Sequence, residues 1–201
     1  AYLGEQLQAR GWQTERLHLS PQALEGVRGR DLLAAVDRAG LIVLSVPLYV
    51  DTAPYPVTLA MEAIAAHRRG VSLPYVQRLL AIVQCGFPES IQNETALRIY
   101  RRWAGEAGFA WAGGLGLGGG EAVNDMPLQE IGWVGRSIRR ALELTADALA
   151  EGFPVPEPAV DLMARPLVAP WLYRLFGNRS WVQEARKHGV TDLRQRPYAQ
   201  P

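Results

Sequence analysis

The chain has 201 residues, of which 48% are hydrophobic and 20% charged, an ordinary globular composition that excludes a disordered chain. Its 21 Lys and Arg are nearly cancelled by 20 Asp and Glu, so the net charge of +1 excludes the concentrated basic footprint of an electrostatic nucleic-acid binder. A single cysteine, Cys85, excludes an internal disulfide and a cysteine-built zinc site, and His18, His67 and His188 show no metal-ligand spacing.

The chain opens Ala1-Tyr2-Leu3-Gly4-Glu5-Gln6-Leu7 with neither Met nor capping residue. Leu3 and Leu7, four apart, mark the apolar side of a helix already under way, which Gly11 stops. Such a beginning leads us to expect residues upstream of Ala1. Trp12 to Leu19 alternates loosely and predicts a strand. Ser20 to Arg30, with Pro21, Gly26 and Gly29, predicts a loop, and Asp31 then caps a short helix over Leu32 to Ala39. Leu41 to Val46 is a continuous apolar run bounded by Gly and Pro, the pattern of a strand buried on both faces in a parallel sheet.

The same alternation continues. Pro56 to Arg69 predicts a helix, Leu79 to Gln84 a second buried strand, and Glu94 to Ala107 a helix begun by Asn93. Phe109 to Leu117 predicts a glycine-laden third buried strand, and Leu128 to Glu151 a long closing helix. Strands alternating with helices of this length imply right-handed crossovers and a doubly wound α/β domain with a parallel sheet. Residues 1–152 are read as this domain. Residues 153–201 begin with the stiff linker Phe153-Pro154-Val155-Pro156-Glu157-Pro158 and continue as a helical C-terminal extension. Trp171, Leu172, Leu175 and Phe176 share a helical face there, suited to packing on the domain, covering a partner subunit or flavin site, or lying on a membrane surface.

In open α/β sheets ligands bind beyond the carboxyl ends of the strands. Three segments occupy such ends: Pro47-Leu48-Tyr49-Val50-Asp51-Thr52-Ala53-Pro54, Cys85-Gly86-Phe87-Pro88-Glu89, and Gly118-Gly119-Gly120-Glu121. The first two set an aromatic residue beside Gly or Pro, a surface able to hold a flat ring. On Val43-Leu44-Ser45-Val46-Pro47-Leu48-Tyr49, the helix after it, and Val83-Gln84-Cys85-Gly86-Phe87-Pro88-Glu89, the chain resembles the NAD(P)H-dependent FMN reductase-type flavoproteins of the flavodoxin-like superfamily. The resemblance covers roughly residues 1–150 and implies a three-layer flavodoxin-like fold.

It further implies that FMN rests against backbone groups of Pro47, Leu48, Tyr49, Val50, Cys85, Gly86 and Phe87. NADPH or NADH would stack on the open face, and the flavin would pass hydride to a small-molecule electron acceptor. Homodimers are frequent in that superfamily. The family's Ser/Thr-rich phosphate loop and the central strand before it have no counterpart in the chain, so both are expected upstream of Ala1 or from another chain.

Blander readings stand beside these. Gly114-Leu115-Gly116-Leu117-Gly118-Gly119 satisfies G-x-G-x-x-G but ends a strand, so close backbone approach is the better reading. Cys85 has no His near it in sequence and reads as a small buried residue; Asp51 and Glu89 read as loop carboxylates able to orient a substrate. No residue is singled out as catalytic. The alternative function is a flavin-free flavodoxin-like domain serving as a binding or assembly module. With no signal peptide pattern and no apolar stretch of about 20 residues, a cytoplasmic location is expected.

Overall fold

The structure, a computed structural model, describes residues 1–20, 26–70, 73–123 and 126–193. Helix α1 spans Tyr2–Gln8 and buries Leu3 and Leu7. It ends as its sequence predicts: Gly11 takes φ +85°, and the Trp12 N–H reaches back to the Leu7 carbonyl at 3.1 Å. Helix α2 (Gly26–Arg38) begins five residues before Asp31, so part of the segment read as loop is helical.

Strands β1 (Leu41–Pro47), β2 (Arg78–Gln84) and β3 (Ala110–Leu117) pair in parallel in the order β1-β2-β3. Parallel neighbours need crossovers, supplied by α3 (Tyr55–Arg68) and α4 (Glu94–Glu106). The register sets Pro47 beside Gln84 and Gln84 beside Leu117, so all three strands end level and deliver their following loops to one edge.

Successive residues of β2 point to opposite faces. Leu80 joins a cluster with Leu3 and Leu7 of α1, Leu115 of β3, and Leu142 and Leu149 of α5 (Arg136–Ala150). Leu79 instead joins Val36 of α2, Ile64 of α3 and Ala104 of α4, while Ala81 and Val83 meet Val57 and Tyr100. Leu79, Leu80 and Leu115 are fully buried, each worth about 1.5–3 kcal/mol relative to an exposed side chain. Polar ties reinforce the opposite edge, where the buried Gln77 amide donates to the Val36 and Ala39 carbonyls at 2.6 and 2.7 Å and so closes α2.

Three expectations are corrected. First, Trp12 to Leu19 forms no strand. Gln13 to Leu19 make no backbone hydrogen bond to a described residue, because no strand among the described residues lies next to them. The segment is held by side chains instead: Gln8 donates to the Thr14 hydroxyl at 2.6 Å, Trp12 packs on the Leu80 cluster under the Arg78 guanidinium, Glu15 pairs with Arg38 at 3.1 Å, and Leu19 packs on the cluster of Val46 and Val57. Second, β1 is an edge strand rather than a doubly buried one. Only β2 flanks it among the described residues, and Val43 is 37% exposed. Third, α5 starts at Arg136, eight residues later than the apolar pattern suggests. Gly132 at φ +57° breaks the helix, and the Arg139 side chain ties the turn by donating to the Leu128 and Gly132 carbonyls.

The first compact unit runs from Ala1 to Leu167, so residues 153–167 belong to it instead of linking to something else. The Val155 N–H donates to the Ala112 carbonyl at 2.7 Å, and α6 (Glu157–Ala164) buries Ala159 and Met163. A Cβ on Gly113, at φ +140°, would stand 2.5 Å from the Val155 side chain, which is why β3 carries glycine there. The second unit, Val168–Pro201, contains α7 (Pro170–Lys187). The side chains of Trp171 and Phe176, read as part of an apolar face, lie outside the described residues.

Candidate functional site

The loops after β1 and β2 leave neighbouring strand ends. Leu48 continues the ladder by donating its N–H to the Gln84 carbonyl at 2.7 Å. Tyr49 and Thr52 then exchange two backbone hydrogen bonds of 3.0 Å each, closing a two-residue turn. Its central residues, Val50 and Asp51, take φ +45° and +61°, the left-handed pair of a type I′ turn. Asp tolerates this conformation, but a β-branched residue is strained by it. Val50 is also 93% exposed, so no burial compensates the strain. The amides of Val50 and Asp51 have no hydrogen-bond acceptor among the described residues.

The second loop is locked from beneath. Cys85 donates its N–H to the Leu117 carbonyl at 3.0 Å, and the amides of Gly119 and Gly120 donate to the Phe87 and Cys85 carbonyls at 2.6 and 2.9 Å. A Cβ on Gly118 would stand 2.4 Å from the Pro88 carbonyl oxygen. The glycine run at the end of β3 therefore serves close backbone approach, as its position in the sequence suggests. Glu121 lies against this loop, its Oε1 3.1 Å from where a Cβ on Gly86 would be.

Asn93 is the residue that sequence reasoning misplaced. It stands at the N-cap of α4, yet its side chain makes no cap hydrogen bond. Fully buried, its Nδ2 donates instead to the Ser90 and Leu117 carbonyls at 3.1 Å and to Cys85 Sγ at 3.5 Å, fastening the loop after β2 to the end of β3. The only signal for this in the sequence is an amide residue eight positions after Cys85.

Cys85 is buried, and burial pushes its thiol up from the usual range against the Asn93 donation, which favours the thiolate. A protonated, enclosed thiol is a poor nucleophile, so the structural reading of Cys85 stands. Asp51 and Glu89 are exposed, and neither carboxylate has a hydrogen-bond partner among the described residues.

The side chains expected at a ring-binding surface are open to solvent. Tyr49 is 62% exposed and Phe87 61%, on loops that follow adjacent strands, with Pro47 exposed and Leu48 half-buried beside them. Tyr55 and Ile91 add further exposed apolar surface on the same two connections. The described cavity of about 380 Å³ shares no residue with these loops; it is lined by residues of α5, α6 and their flanks. Among the described residues no helix is long and apolar enough to cross a membrane. Compared with protein-family models the chain matches none, and no curated protein matches it.

Proposed function

We propose that the chain is a flavodoxin-like, doubly wound flavoprotein domain that binds FMN at the edge formed by the ends of β1 and β2. It works there as an NAD(P)H-dependent oxidoreductase passing electrons to a small-molecule acceptor. The observation that carries this reading is the pair of exposed rings, Tyr49 and Phe87, on neighbouring strand-end loops. The Val50–Asp51 turn supports it: two solvent-facing amides without acceptors are held in a strained, fixed geometry, suited to donate to carbonyl oxygens on a flat heterocycle. The β1-β2-β3 order is also that of the last three strands of the flavodoxin-like 2-1-3-4-5 arrangement.

FMN would supply the hydride chemistry, and the chain's own groups would place the ring. Pro47, Leu48, Tyr49 and Val50 would border one edge, with Cys85, Gly86 and Phe87 along the other. Because the Leu48 and Tyr49 amides are already engaged in the ladder and the turn, Val50 and Asp51 are the donors we assign to the ring. A homodimer is part of the reading, by analogy with the superfamily.

The visible spectrum of the purified protein, before and after addition of FMN, tests this. A flavin spectrum that shifts on binding and bleaches with NADPH or NADH is the expected result. Tyr49→Ala and Phe87→Ala should each weaken FMN binding by about 3- to 10-fold, the worth of one aromatic contact. A protein that leaves added FMN unperturbed sinks the proposal and turns attention to a flavin-free binding module.

A further inference from the structure

The cavity of about 380 Å³ between the start of α5 and the end of α6 lies within the size range of small-molecule sites. Its lining residues include Arg136, Arg140 and Arg165, with Ser137, Trp133 and the apolar Leu162. Arg136 and Arg140, four apart on α5, share one helical face. Arg140 reaches Glu143 at 3.4 Å, whereas the guanidiniums of Arg136 and Arg165 have no ion-pair or hydrogen-bond partner among the described residues.

Three cations around one cavity repel one another, and here the local backbone adds to the positive potential. The first turn of α5 contains no acidic residue and no side-chain cap, and the amides of Ser137 and Ile138 have no backbone acceptor among the described residues. Helix starts favour anions and disfavour cations, so arginines at the first and fifth positions of this helix are an arrangement that an anion would stabilise. Forked guanidiniums fit the several terminal oxygens of a phosphate better than a lone acceptor. Trp133, 72% exposed, offers a face for a flat ring beside that charge.

We propose that this cavity binds a phosphate monoester carried on a flat ring, an aryl or nucleoside phosphate, with Arg136, Arg140 and Arg165 on the phosphate and Trp133 on the ring. The site is separate from the strand-end loops and does not depend on their binding FMN.

Calorimetric titration of the full chain with phenyl phosphate tests it, with inorganic phosphate and phenol as the comparison ligands. Phenyl phosphate should bind several-fold more tightly than inorganic phosphate, phenol should give no heat, and affinity should fall as salt is raised. Arg136→Gln and Arg165→Gln should each weaken phenyl phosphate binding by about tenfold. Trp133→Ala should erase its advantage over inorganic phosphate while leaving phosphate binding intact. These side chains are exposed, so the variants keep the core unchanged. Absence of phenyl phosphate binding, or wild-type affinity in both arginine variants, would each overturn the proposal.

Discussion

Val50→Gly separates strain from packing at the turn that follows β1. An L-residue held at left-handed φ costs about 1–2 kcal/mol, and a β-branched one belongs at the upper end. Val50 sits at φ +45° and is 93% exposed, so trimming its side chain forfeits almost no buried surface. Glycine relieves the strain but loses more chain entropy on folding, about 0.5–1 kcal/mol. The balance is a stabilisation of about 1 kcal/mol, a rise in Tm of about 2–4 °C for a protein of this size. Denaturant titration should show a higher midpoint with an unchanged slope. Asp51→Gly should gain less, since Asp accepts the left-handed region more readily. If the turn fixes donors for a flavin, Val50→Gly should also bind FMN several-fold more weakly while being the more stable protein. A Val50→Gly variant that unfolds at lower denaturant than the parent refutes the assignment of strain.

Tyr100→Phe should stabilise the protein by about 1 kcal/mol in the same titration, because the Tyr100 hydroxyl is buried with no partner among the described residues. Burial pushes its pKa from 10.0 up to about 12. The folded state thus holds the neutral phenol while the unfolded chain ionises, so stability present below pH 10 is lost between pH 10 and 12, by about 2–3 kcal/mol; that part of the alkaline loss should vanish in Tyr100→Phe. Gly118→Ala should destabilise by about 1–3 kcal/mol, since the new methyl would stand 2.4 Å from the Pro88 carbonyl oxygen and must force the two loops apart. Cys85 should react with an aromatic disulfide reagent at pH 8 at least about tenfold more slowly than the thiol of the denatured chain, its pKa being raised by burial; equal rates would refute the enclosed thiol.

What the sequence made legible was set by local chemistry. The apolar runs beginning at Leu41, Leu79 and Phe109 predict strands because each is short, apolar and bounded by turn-forming residues, and all three formed within a residue or two of their expected limits. The strand-end loops were equally legible, since parallel sheets send their following loops to one edge. The failures lie where a distant partner decides. Trp12 to Leu19 has a strand's pattern, but a pattern makes no ladder without a neighbour. Asn93 has the identity and position of a cap, but its Nδ2 is drawn to Cys85 and the Leu117 carbonyl, and its Oδ1 caps no helix amide. Phe153 to Pro158 looks like a linker from its prolines, whereas the gap above Gly113 receives Val155 and draws the segment onto β3. The arginines around Ser137 carried no sequence signal, because Arg165 joins Arg136 and Arg140 only through the fold.

The edge position of β1 has a consequence for handling the protein. Leu41-Ile42-Val43-Leu44-Ser45-Val46 carries no charge and no proline, Pro47 coming only after it at the end of β1, and no bulge interrupts its register with β2. Natural sheets protect such edges with lysines, inward-pointing charges or bulges, and this one has none of them. Short, uncharged, β-branched stretches of this kind are where chains associate through their backbones. Where no further strand pairs with β1, loss of monomer with rising concentration should therefore begin at these six residues, and a single Val43→Lys replacement, at a position already 37% exposed, is the least disruptive way to suppress it.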